Sequence, residues 1–336
     1  MGTESDTVYQ MPPRLHDSEG AVRRVGVEVE FAGLDVDEAS QLVARLFGGT
    51  PEREHRFGMV VRGTRFGDFR VELDARVLKE QRYKAFLERI GAPEPVQDAV
   101  EDAMEAVART WLPSEIVSPP LPITDVHEME VLRRALYEHN ADGTKASVLY
   151  TFGFQLNPEL PGRDADTLVR YLRAFLLLYD WLVDVSKIDF TRKLSSFIDP
   201  FPESYRKKVI DPAYRPDLDQ LIDDYLADNP TRNRPLDMLP AFATMRHDKV
   251  IAAAKEHDQV KARPTFHYRL PNCCVDDPKW TFAQEWNRWV EVERLAEDPV
   301  RLESMARAYL AAGSEDGEVD PRAWSEQVAG WLAEAA

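Results

Sequence analysis

The stretch Arg24 to Phe31 reads RVGVEVEF, and the rest of the fold is organised around it. In an extended chain, alternate side chains project from opposite faces. Glu28 and Glu30 therefore share one face, while Val27, Val29 and Phe31 share the other. This is a strand with an apolar underside and carboxylates on top. Downstream, Asp35 caps a helix whose apolar positions Ala39, Leu42, Val43 and Leu46 follow the helical period. Gly48-Gly49 stops that helix.

Three further segments repeat the same polar-over-apolar alternation. Met59 to Arg62 and Phe69 to Leu73 are short strands joined by Gly63 to Gly67, which is a hairpin pattern. The second of them puts Glu72 and Asp74 on one face with Arg70 in line. Ala146 to Leu156 is strand-like, and Gln155 and Asn157 fall on one face with Gly153. Arg263 to Leu270 (RPTFHYRL) aligns His267 and Arg269 with Arg263 and Thr265.

Helices lie between these strands. Glu94 to Trp111, Thr124 to His139 (capped by Thr124 or Asp125), Asp164 to Val185 and His247 to His257 fit a helical period, with a short helix near Asp217 to Ala227. Strands scattered among helices without regular alternation predict an α+β fold rather than a doubly wound parallel sheet. Residues 1–20 are polar and read as a flexible N-terminal tail. Residues 21–275 read as one catalytic core with a Pro-rich insertion or lid around 189–240, and 276–336 as a helical segment whose tryptophans pack the core.

The chain has 336 residues, with 42 Lys plus Arg against 59 Asp plus Glu and a net charge of −17. This balance argues against binding nucleic acid through a broad basic surface. The most apolar helical stretch, Ala174 to Val183, carries Asp180 and is too short to span a bilayer. No leader-like apolar run opens the sequence, and the two cysteines, Cys273 and Cys274, are adjacent. A cytoplasmic protein with no membrane partner is expected. The Gly-containing runs match neither a Walker loop nor a dinucleotide fingerprint, and there is no Gly-x-Ser-x-Gly elbow.

A single alternating pair is commonly a solvated face. Here, however, two strands offer carboxylates, a third amides, and a fourth imidazole and guanidinium. Carboxylates crowded on one face repel unless a cation sits between them. Such oxygen-rich, thiolate-free donors suit Mg²⁺ or Mn²⁺. Arginines on the same face suit a transferring phosphoryl group. Arg206-Lys207-Lys208 reads as a solvated surface, and His55, His127, His139 and His257 as solvated side chains.

The ordered set VGVEVEF (Val25 to Phe31), GDFRVELD (Gly67 to Asp74), EIVSPP (Glu115 to Pro120), FGFQLNPE (Phe152 to Glu159) and RPTFHYRLPN (Arg263 to Asn272) resembles the putative amidoligase family. That family is related to glutamine synthetase and the glutamate–cysteine ligases. The resemblance runs from about Arg24 to Asn272. It implies a curved antiparallel sheet forming a half-barrel with helices outside. It also implies an ATP- and Mg²⁺-dependent (or Mn²⁺-dependent) carbon–nitrogen ligase that joins a small-molecule or peptide carboxylate to an amine through an acyl phosphate.

By this resemblance Glu28, Glu30, Glu72, Glu115 and His267 take the metal. Gln155, Arg263 and Arg269 take ATP, Arg70, Asp74 and Asn157 take substrate, and Asp74 and Arg269 are catalytic. Two positions depart from the family pattern. Gln155 stands where a histidine is usual, and His267 stands where a glutamate is usual. Two alternatives are a catalytically altered nucleotide- or metabolite-binding protein on this fold, and a hydrolase using a pair of carboxylates. An acyl phosphate must be kept from water, so a cover over the sheet is expected, with Asp199 to Pro240 as the segment for it.

Overall fold

The computed structural model describes residues 8–73, 113–144, 152–188, 198–313 and 318–334. Nine strands form one sheet: β1 (Arg24–Phe31), β2 (Thr50–His55), β3 (Gly58–Thr64), β4 (Gly67–Leu73), β5 (Ser114–Val117), β6 (Leu121–Pro122), β7 (Phe154–Pro158), β8 (Leu236–Asp237) and β9 (His267–Tyr268). The order is β2-β3-β4-β5-β1-β7-β9-β8, with β6 beside the start of β1. Every pairing is antiparallel. The sheet is open, bounded by β2 at one side and β8 at the other. The fold is α+β, as the scattered strands predict.

Ten α-helices occur among the described residues: α1 (Val36–Phe47), α2 (Glu130–Glu138), α3 (Ala165–Val185), α4 (Glu203–Ile210), α5 (Leu218–Asp228), α6 (Leu239–Ala243), α7 (His247–Ala253), α8 (Phe282–Ala296), α9 (Pro299–Ala311) and α10 (Pro321–Glu334). Asp35 caps α1 as expected, in a reciprocal box with Glu38. The helix ends at Gly48-Gly49, both at positive φ, and a Cβ on Gly49 would stand 2.5 Å from the Arg62 carbonyl oxygen. Only glycine fits there.

The strand undersides meet the helices. Val25, Val27, Val29 and Phe31 of β1 are fully buried, as are Phe69 and Val71 of β4. Helix α3 lies under the sheet, where Tyr171 stacks on Phe266 and Phe175 packs edge-on against Tyr268. Trp286, Trp289 and Trp324 join this same apolar cluster, so the C-terminal helices close it. Arg23, just before β1, is fully buried against Glu293 of α8, with two bonds of 2.7 Å.

Several details differ from the sequence reading. The segment Thr124 to His139 is not one helix: Ile123–Met129 is a 3₁₀ turn preceded by Pro122, and α2 follows it. Thr124 Oγ1 donates to Asp125 rather than capping the helix. The last predicted strand shrinks to His267–Tyr268, because Pro264 and Pro271 on either side lack an N–H for the ladder. Arg206 is not on a solvated face; it is buried and bonds Asp180 at 2.5 Å. The 94–111 helix and residues 146–151 of the third strand lie outside the described residues. Within 8–20, Trp286 Nε1 donates to the Gln10 carbonyl at 2.7 Å and Arg14 donates to the Pro161 carbonyl at 3.0 Å. Helices α4 and α5 pack on α3, and β8 brings the end of the Pro-rich stretch into the sheet.

Candidate active site

Strand register places the acids. In β1, Glu30 pairs with Glu115 of β5, and Glu115 pairs on its other side with Glu72 of β4. Three carboxylates therefore stand abreast, one per strand, at the interstrand spacing of about 4.8 Å. The next row holds Gln155, Glu28, Val117 and Arg70 on β7, β1, β5 and β4. Both rows lie on the face opposite the helices.

A cleft of about 250 Å³ opens over these rows. Glu28, Arg70, Glu72, Glu115, Gln155, Arg263 and His267, each a candidate from sequence, all line it. Glu30 stands beside Glu115 in its row, and Asn157 donates to Glu28 Oε1 at 2.7 Å. Arg269 is buried behind the cleft and donates to the Arg232 carbonyl at 2.5 Å. Asp74 follows directly on β4 and lies outside the described residues.

The structure adds residues that sequence reasoning missed. Arg232, Pro240, Asp258, Gln259 and Lys261 form the far wall, and Asp237 is fully buried behind it. Asp237 is the β8 partner of His267, and its Oδ2 stands 3.5 Å from Arg232 Nε. Arg232 and Asp237 come from a Pro-rich stretch without periodicity. The usable signal was compositional: TRNRP (231–235) concentrates two arginines just before β8.

The cleft brings acids and cations together, with Arg70 among the floor acids and Asp258 among the wall cations. Glu28, Glu72 and Glu115 form its sheet floor, and Arg232, Lys261 and Arg263 line the opposite wall. Arg263 Nη1 comes within 4.0 Å of Glu28 Oε1. His267 is buried, and burial with the nearby Arg232, Arg263 and Arg269 holds its imidazole well below the ordinary range. It is therefore a neutral ligand or hydrogen-bonding group at neutral pH. Its Nε2 has no hydrogen-bond partner in the described structure, and neither has Asn157 Oδ1 nor Thr265 Oγ1. Of these three residues His267 lines the cleft, and its unanswered Nε2 is what a polar ligand there would satisfy. Burial pushes the Asp237 carboxyl up to about 6, against the opposing pull of Arg232 and Arg269.

Each carboxylate has a protein contact in this arrangement. Gly153 N–H donates to Glu30 Oε2 at 2.7 Å, while Glu30 N–H donates back to the Gly153 carbonyl at 3.0 Å. Glu72 Oε2 stands 3.8 Å from His55 Nε2. Among the described residues, no group of three or more His, Cys, Asp or Glu side chains is arranged to hold a metal ion. The donor chemistry still fits a hard divalent cation, being carboxylate, amide and neutral imidazole without thiolate.

A family model described as a putative amidoligase enzyme matches residues 21–291, a span that holds all the cleft residues just named. This chain belongs to that family. The match extends the resemblance read from sequence at both ends, to just before Arg23 and through most of α8. No curated protein and no solved structure matches this amidoligase. None of its described helices is long and apolar enough to cross a membrane.

Proposed function

We propose that this amidoligase is an ATP- and Mg²⁺-dependent (or Mn²⁺-dependent) carbon–nitrogen ligase that joins a carboxylate to an amine on a small amino acid, amine or peptide. The observation that carries the proposal is a single cleft lined by the sheet acids Glu28, Glu72 and Glu115 together with Arg70, Arg232, Lys261 and Arg263. A polyphosphate needs both cationic groups and metal-binding acids around it.

In this reading Arg232, Lys261 and Arg263 receive the phosphates. Gln155 and the Nε2 of His267 offer neutral polar contacts beside them. Glu28, Glu30, Glu72 and Glu115, with His267, are the side chains that would hold the metal, which when bound offsets phosphate charge in phosphoryl transfer. A carboxylate is a poor electrophile. Its oxygen attacks the γ-phosphorus and ADP leaves. The amine then attacks the acyl carbon, inorganic phosphate leaves, and the amide is formed. An acid such as Asp74, the candidate that the family resemblance supplies, would accept the proton lost by the amine. Arg70, in line with Glu28 across the sheet, and Asn157, bonded to Glu28, would hold substrate.

The test is nucleotide-dependent stabilisation. ATP with MgCl₂ or MnCl₂ is expected to raise the melting temperature saturably, and Glu72→Gln and Arg263→Ala are expected to remove that rise. ADP should then form with one of a pool of amino acids, amines and peptides. Absence of any shift, or a shift unchanged in both variants, overturns the proposal. Binding without ADP from any pool favours the altered, non-catalytic reading suggested by Gln155 and His267.

A further inference from the structure

A second cavity, of about 430 Å³, lies on the other side of α3. Tyr171 and Phe175 turn one face of α3 to the sheet. Asp166, Val169, Arg170 and Arg173 lie about half a turn away on the helix and line the cavity. The 212–216 turn and the start of α9 complete the walls.

Arg173 is the organising group. It is only 9% exposed. Its Nε donates to the Val209 carbonyl at 2.7 Å, and its Nη2 donates to the Asp211 and Tyr214 carbonyls at 2.9 Å each. Three carbonyls thus fix the guanidinium plane through one edge. The remaining nitrogen, Nη1, has no acceptor among the described residues and is not sealed from solvent. Burial first, and then the nearby Arg215, pull the Arg173 pKa down. Asp211, Asp166 and Glu303 pull it back in part, and Arg215 and Arg170 share the cavity lining with Arg173.

The acids on the walls, Asp166 and Glu303, make their direct ion pairs with other arginines and reach Arg173 only at longer range. Arg170 takes Asp166 at 3.2 Å and Glu297 at 3.5 Å, and Glu303 pairs with Arg307 at 2.5 Å. Neither Arg173 nor Arg215 forms an ion pair among the described residues. Both arginines feel Glu303, and Arg173 also feels Asp166 and Asp211, yet no carboxylate sits in direct contact with either guanidinium. An oxyanion between them would remove their repulsion and take up the free Nη1. Val169, Leu302, Pro216 and Tyr214 supply apolar walls around that charge. The volume suits a small metabolite.

We propose that this cavity is a binding site for a small organic anion, one carboxylate or monophosphate group on a compact apolar body, separate from the ligase cleft. The oxyanion sits between Arg173 Nη1 and Arg215, and the apolar body rests on Val169, Leu302 and Pro216.

The full chain is titrated with phenyl phosphate, benzoate and inorganic phosphate, each against sodium chloride at equal ionic strength, with melting temperature and calorimetric heat as readouts. At least one of the organic anions is expected to bind saturably, and more tightly than inorganic phosphate. Arg215→Glu, an exposed change, and Arg173→Gln are each expected to weaken it at least tenfold. Arg263→Ala, in the ligase cleft, is expected to leave it unchanged. The preferred organic anion shows whether the site takes carboxylate or phosphate. No saturable effect beyond the salt control overturns the proposal, as does binding unaltered by Arg215→Glu or lost in Arg263→Ala. If Arg173→Gln fails to fold, Arg215→Glu alone decides.

Discussion

Replacing Glu293 by glutamine removes one charge from the most completely buried ion pair of the fold. Arg23 and Glu293 both have side chains with no exposure. Arg23 gives Nη1 and Nη2 to the two carboxylate oxygens at 2.7 Å each, Nε to the Glu159 carbonyl at 2.8 Å, and Nη1 also to the Arg14 carbonyl at 2.7 Å. Glu293 Oε1 also accepts from Trp289 Nε1 at 2.8 Å. A glutamine can keep the Trp289 bond and one contact to the guanidinium. Its amide group must then face a second donor, and the Arg23 charge is left uncompensated in a dry site. Breaking a buried pair from one side costs about 3–5 kcal/mol. At roughly 2 °C per kcal/mol for a chain of this size, the melting temperature falls by about 6–10 °C. Thermal and urea unfolding followed by circular dichroism measure this directly. The double variant Arg23→Met with Glu293→Leu removes both charges and is expected to recover at least half the loss, since apolar replacement of a buried pair is close to neutral. A fall under about 2 °C in Glu293→Gln, or a double variant less stable than either single one, refutes the reasoning.

The pH dependence of stability carries two opposing contributions. His267 stays neutral in the fold well below 6.5, so the unfolded chain binds the extra proton there and this group takes stability away as pH falls. Asp237 is raised from 3.8 to about 6, so the fold binds the extra proton in that window and this group adds stability as pH falls. Asp237→Asn is therefore expected to steepen the loss of stability toward acid pH relative to wild type, and His267→Gln to do the reverse, each by up to about 1.4 kcal/mol per pH unit between pH 4.5 and 6. Urea midpoints measured across that range check it; slopes unchanged in both variants count against the charge environment described. At Gly153, an added Cβ would stand 3.2 Å from Glu30 Oε2 and 3.3 Å from its Cδ. Gly153→Val is expected to cost about 1–3 kcal/mol and to displace the Glu30 carboxylate. The rise in melting temperature with ATP and Mg²⁺ should then shrink, and a full rise would show that the Glu30 position does not matter to nucleotide.

The parts of the molecule legible in the sequence were those in which a periodic pattern and a local stop signal agreed. Strand β1 and helix α1 fall where alternation, the Asp35 cap and the Gly48-Gly49 stop place them, and α3 where its apolar helical pattern does. The shared polar face of β1, β4 and β7 was legible for the same reason. What a sequence does not state is which strands are neighbours. The Glu30–Glu115–Glu72 row depends on β5 lying between β1 and β4, a long-range pairing with no local signature. Strand β2 was missed because TPEREH carries almost no apolar residue; its partner β3 makes it a strand. Asp237 and Arg232 were missed because two-residue strands between prolines show no period. Asp237 comes to the site by pairing with His267, and Arg232 lines the cleft from the turn before β8.

The terminal position of β2 has a consequence for how copies of the protein meet. An unpaired strand edge is a template on which another chain can zip. Here that margin carries Glu52, Arg53 and Glu54, all exposed, with Pro51 withholding one amide hydrogen. Like charges would face one another if two such margins approached in parallel register, and the proline interrupts any ladder. The same polarity that hid this strand in the sequence thus makes its edge a poor template for a second copy.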